Sequence, residues 1–109
     1  MPWDIFFRTA SPDVMMQLDT GHAIRAGINP NEVLEILKRY PGRAITVHLK
    51  DYSSKTGYLT TIGYGDMKWK KFFSLCETIG GTEWYIVEID RAADTAATRC
   101  INSLREMGL

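Results

Sequence analysis

Three residues stand out by type and by place: Asp19 in LDTGHA, His48 in TVHLKDY and Glu88 in YIVEID. Each follows a short apolar run, and each side chain can donate to a metal ion. Two carboxylates and one imidazole make a hard, mainly oxygen-donor set suited to Mn²⁺, Mg²⁺, Co²⁺ or Zn²⁺, with room for further ligands. Each residue also has a plainer explanation. A strand-end aspartate caps the following turn, a strand histidine satisfies a local hydrogen bond, and Glu88 can pair with Arg91. Taken singly the plainer explanation is preferred, so the case for a site rests on their shared position.

The neighbours widen the question. TVHLKDY closes with His48, Lys50 and Asp51, and each of these groups must find a partner or face water. Lys50 has the parity of His48 and could present its charge to a hydroxyl, carboxylate or phosphate of a substrate, or simply be solvated. His22 follows Asp19 by three residues, with Gly21 between them to let the chain turn; it could orient a ligand or a metal-bound water, or merely start a helix. GYGD, residues 63 to 66, is a glycine-bracketed turn whose backbone N–H groups could receive an anion, although a tight turn with Asp66 as helix cap is the simpler reading. Trp69, Phe72 and Phe73 share one helical face and read as core.

The elements that position these residues follow from hydrophobic periodicity. Three apolar runs, Val14 to Leu18, Ala44 to Leu49 and Trp84 to Ile89, are each followed by a helical pattern. The first helix has Asn29 as N-cap, Pro30 at its first position, Glu32 for a capping box, and Pro41-Gly42 as its stop. The second is expected from Asp66 to Gly80-Gly81 with Met67, Trp69, Phe72, Phe73, Cys76 and Ile79 inward. The third starts at Asp94 or Thr95 with Ala97, Cys100, Ile101, Leu104 and Met107 inward. PWDIFFRTA adds a short leading helix. The order, α and then βα three times, implies an α/β fold with a parallel sheet and right-handed crossovers.

Side-chain parity sorts the strands into two faces. Asp19, His48 and Glu88 fall with Met15, Gln17, Ala44, Thr46, Trp84 and Ile86 on a mixed face. Val14, Met16, Leu18, Ile45, Val47, Leu49, Tyr85, Val87 and Ile89 make a greasier one for helices. The three candidate ligands therefore sit at the carboxyl ends of parallel strands, where α/β proteins bind their ligands.

Composition narrows the classes. The 109 residues have a one-domain length, and a 45% share of hydrophobic residues argues against disorder. Thirteen basic and thirteen acidic side chains cancel, which argues against nucleic acid and anionic membranes as partners. Cys76 and Cys100 lack any CxxC spacing and lie at apolar helical positions, as in a reduced cytoplasmic protein. No apolar run approaches the ~18 residues of a membrane span.

At these residues the sequence resembles the sugar phosphate isomerase/epimerase family, the xylose-isomerase-like TIM barrels that include inosose dehydratases and ketose epimerases. The stretches that carry the resemblance are MMQLDTGHA, YPGRAITVHLKDY, TIGYGDMKW, GGTEWYIVEID and SLREMGL, in the family's order over nearly the whole chain. The resemblance implies a divalent metal held by Glu, Asp, His and Glu on successive strand ends. Asp19, His48 and Glu88 match the last three, and the first Glu has no counterpart. It also implies that Glu88 moves a proton in catalysis and that His22 touches substrate. Tyr64 stands where the family commonly has the Glu of GEGD.

The expectation is thus a partial (β/α) TIM barrel of about three βα units, residues 1–109 forming its carboxyl-terminal portion. A complete barrel takes ~250 residues, so the remaining wall is expected from a missing amino-terminal part or from self-association into a homo-oligomer. The expected function is metal-dependent isomerisation or epimerisation of a small sugar or sugar phosphate through an enediolate. A non-catalytic, self-associating fragment is the alternative, and a related zinc-dependent abasic-site endonuclease is disfavoured by the neutral charge.

Overall fold

The computed structural model describes residues 2–89 and 94–109. Three parallel strands, β1 (Gln17–Asp19), β2 (Thr46–Leu49) and β3 (Trp84–Val87), form one open sheet in the order β1-β2-β3. The helices are α1 (Pro2–Thr9), α2 (Thr20–Arg25), α3 (Pro30–Arg39), α4 (Trp69–Leu75), which runs into a π-helical turn at Cys76–Gly80, and α5 (Ala96–Glu106). The strands are shorter than the apolar runs, and β1 ends one residue beyond its run, at Asp19, but their order and parallel sense are as expected. The edges are β1 and β3, the two runs left without an outer neighbour in a three-unit fragment.

α3 forms as its sequence dictates. The Asn29 side chain accepts from Asn31 N at 2.9 Å, Pro30 opens the first turn, and Val33, Leu34, Ile36 and Leu37 are buried. The start of α4 differs from expectation: the helix begins at Trp69, and the backbone N–H of Asp66 instead donates to Tyr52 O. Gly81 closes the π-turn in the left-handed region, φ 66°, which explains the Gly80-Gly81 stop.

α5 is rotated relative to the expected face. Ala97 and Ile101 are exposed, whereas Ala96, Cys100 and Ser103 are buried. The cause is a polar contact: Ser103 Oγ donates to Ile62 O at 2.6 Å and turns that side of the helix toward the β2–α4 loop.

All helices lie against one face of the sheet. Met16, Leu18, Val47 and Leu49 are buried there against Val33, Leu37, Phe72, Cys76 and Cys100. The two cysteines are free and buried. The opposite face is open, with Met15, Trp84 and Ile86 exposed, although Ala44 and Lys50, of the same parity, are buried. In a closed barrel that open face is the interior.

Candidate metal centre

The register brings two of the three candidate ligands side by side, with Asp19 opposite His48 on β1 and β2. Glu88 is offset. His48 aligns with Ile86, so Glu88 lies two residues, ~6.6 Å, farther along. Its backbone N–H still donates to Leu49 O, which keeps the strand direction past the end of β3, and the longer glutamate side chain reaches back. Glu88 Oε2 lies 2.6 Å from His48 Nδ1, and Asp19 Oδ2 lies 3.7 Å from the same nitrogen. One ligand atom from each of Asp19, His48 and Glu88 falls within 4.8 Å of the others. The half-buried triad has the spacing and donor chemistry of a divalent-cation site.

Asp19 does two jobs, and the capping role offered for it is real. Its Oδ1 accepts from His22 N at 2.8 Å and caps α2, while Oδ2 turns to the rim. His22 is therefore a helix-start residue whose ring also reaches the rim: Nε2 lies 3.9 Å from Asp19 Oδ2 and 3.3 Å from Lys50 Nζ. Arg91, named as the alternative partner of Glu88, lies outside the described residues.

Lys50 is not a solvated lysine. It is 1% exposed, and Nζ sits 2.7 Å from Glu88 Oε1 and 4.0 Å from Asp19 Oδ2. Burying an ammonium demands partners, and the two carboxylates supply them. Glu88 thus bridges His48 with one oxygen and Lys50 with the other.

Gly21 is needed for closeness rather than for turning. It lies within α2 and is not among the positive-φ glycines, but a Cβ there would stand 2.6 Å from Lys50 Cγ and 2.9 Å from Lys50 O. Thr20, fully buried, fixes that approach. Its hydroxyl donates to Lys50 O at 2.7 Å and accepts from Lys50 N at 3.1 Å, joining the start of α2 to the end of β2.

Asp51 faces away from the rim and answers for the GYGD turn. Oδ2 accepts from Gly63 N, Gly65 N and Trp69 Nε1 at 2.9, 3.1 and 2.8 Å, and Oδ1 accepts from Tyr52 N at 2.9 Å. The turn does receive an anion, but the anion is the protein's own carboxylate. A Cβ on Gly65 would lie 2.1 Å from Asp51 Oδ1, so only glycine fits. Tyr64 is exposed and lines an open groove of about 520 Å³ with Thr56, Arg99 and Asn102, none of which belongs to the triad.

Sequence reasoning did not single out Thr20 or Tyr58. The Tyr58 hydroxyl lies 2.7 Å from His22 Nδ1, its ring stands 5.1 Å from Lys50 Nζ, and the Arg25 guanidinium lies 5.2 Å over the same ring. The Tyr58 hydroxyl holds the Arg25 pKa above its ordinary range. Among the described residues no helix is long and apolar enough to cross a membrane.

Comparison with known proteins agrees with this geometry. The family model described as xylose isomerase-like TIM barrel matches residues 2–107. Inosose dehydratase from Yersinia enterocolitica is 28% identical over 105 residues, covering 81% of this chain and 35% of that enzyme. Inosose dehydratase from Histophilus somni is 25% identical with the same coverage. The chain thus spans about a third of the length of these curated relatives. Three parallel βα units, carrying an Asp, a His and a Glu at their carboxyl ends and matched over 2–107, place this chain in the family of xylose isomerase-like TIM barrels.

Proposed function

We propose that the chain forms the carboxyl-terminal part of a divalent-metal-dependent sugar isomerase or epimerase, acting on a sugar or sugar phosphate by proton transfer through an enediolate. The observation that carries this reading is the convergence of Asp19, His48 and Glu88 within 4.8 Å at the strand ends. Asp19 Oδ2, His48 Nδ1 and one oxygen of Glu88 would hold the ion. Its contribution when bound is to polarise a sugar carbonyl and the adjacent hydroxyl.

The residues of the chain supply the rest. Glu88 is the carboxylate that takes the proton from the carbon beside the carbonyl. Lys50, already 2.7 Å from Glu88 Oε1, sets the charge balance around that carboxylate and is positioned to donate to a substrate oxygen. His22 offers a ring nitrogen to a substrate hydroxyl at the same rim. Epimerisation or isomerisation needs a second acid/base group on the other side of the carbon. In this reading it comes from the rest of the barrel, supplied by an amino-terminal portion or by a second copy covering Met15, Trp84 and Ile86. The names of the relatives favour a second chemistry, dehydration of an inosose, which can begin with the same removal of a proton beside a carbonyl.

Calorimetric titration of Mn²⁺ into the native chain and into His48→Ala tests the proposal. Binding that vanishes with the imidazole is expected, and equal binding by the two proteins overturns it. Solution mass tests self-association: a multiple of the 12.4 kDa chain is expected if copies cover the open face, and a monomer removes that route to a complete site.

A further inference from the structure

Tyr58 lies in the β2–α4 loop, far in sequence from the residues it meets. Its hydroxyl is 2.7 Å from His22 Nδ1 and its ring packs edge-on against the imidazole at a centroid distance of 5.0 Å. The other ring nitrogen, Nε2, is 3.3 Å from Lys50 Nζ. A lysine paired with a carboxylate is an ammonium with donors only. Toward Lys50, Nε2 can therefore only accept, and in a neutral imidazole the proton must then be on Nδ1. Nδ1–H points at the Tyr58 oxygen, which must accept it.

We propose that Tyr58 is a positioning residue: its hydroxyl oxygen fixes His22 as the Nδ1–H tautomer, leaving the Nε2 lone pair directed at the rim shared by Asp19 and Lys50. Free histidine in water prefers the proton on Nε2, so this arrangement reverses the default. The consequence, which rests on the proposed sugar chemistry, is that His22 meets a substrate hydroxyl as an acceptor. A hydroxyl that displaces the Lys50 contact would donate to Nε2, and Nδ1–H would stay anchored to Tyr58. The tautomer itself does not depend on that reading.

Long-range ¹H–¹⁵N correlation of the metal-free, ¹⁵N-histidine-labelled chain, at a pH where the imidazoles are neutral, reads it directly. With two histidines in the sequence, His22→Gln assigns the signals. The expected result is the Nδ1–H pattern for His22 in the native chain and a shift toward the Nε2–H pattern in Tyr58→Phe, with backbone amide signals elsewhere unchanged. An Nε2–H pattern in the native chain overturns the proposal without recourse to any variant. So does an Nδ1–H pattern that persists in folded Tyr58→Phe. No Mn²⁺ binding by the native chain, or equal binding by His48→Ala, in the separate titration would sink the metal reading and leave this result untouched.

Discussion

Replacing Asp51 by Asn changes one atom at a site that is 1% exposed, and the structure sets the size of the effect. Oδ2 accepts three N–H donors, from Gly63, Gly65 and Trp69, and Oδ1 accepts one from Tyr52. In Asp51→Asn the amide oxygen can keep the group of three, but without the charge that strengthens such bonds. The amide nitrogen then faces the Tyr52 N–H donor to donor. Weakening three charge-assisted bonds and breaking the fourth, less the smaller cost of burying a neutral group, gives a loss of about 2 to 5 kcal/mol. That is a large share of the roughly 5–15 kcal/mol that holds a domain of this kind together. With a urea slope of about 2 kcal/mol/M, the midpoint should fall by about 1 to 2.5 M. Amide exchange at Gly63 and Gly65 should accelerate more than exchange in α3. A midpoint unchanged within about 0.3 M would refute the view that the Asp51 carboxylate organises the loop.

Further consequences concern the same framework. Thr20→Val keeps the shape but strips both hydrogen bonds to Lys50's backbone, so urea melts should show a loss of about 1 to 3 kcal/mol, and no loss would mean that water replaces the hydroxyl. Gly21→Ala drives a Cβ against Lys50 Cγ and O, so both stability and Mn²⁺ affinity should drop; a variant as stable as the native chain would show that α2 can slide away. Burial pushes the Cys76 thiol up to about 11 from 9.0. The unfolded chain then ionises first, so this contribution is complete below pH 9 and is lost as pH rises through about 11. A shift of that size amounts to about 2 to 3 kcal/mol. Alkaline urea melts should therefore be flatter for Cys76→Ala than for the native chain, and parallel curves would contradict the assignment.

What the sequence disclosed was whatever has a local period. The alternation of TVHL and WYIV located the buried face, and the shared strand-end position of Asp19, His48 and Glu88 located the rim. The capping of α3 by Asn29 followed from nearest neighbours. The misjudged features are those decided by distant partners or by very few residues. α2 is six residues long, too short for periodicity to register. Lys50 looked solvated because its cover comes from Thr20, Gly21, Tyr58 and Glu88, none adjacent to it in the chain. The rotation of α5 escaped a count of apolar residues because a serine, Ser103, occupies the inward position. GYGD read more simply as a tight turn capped by Asp66, and only the fold could show that its N–H groups receive an anion and that the anion is Asp51.

The central claim is that Asp19, His48 and Glu88 grip one cation. The most direct measurement is an anomalous difference map from crystals of the chain soaked in Mn²⁺. The account predicts a single strong peak within coordinating distance of Asp19 Oδ2, His48 Nδ1 and a Glu88 oxygen, with the Lys50 ammonium displaced from that oxygen. A map with no peak there, at an Mn²⁺ concentration that saturates the calorimetric titration, or with peaks only at exposed carboxylates elsewhere, would contradict it.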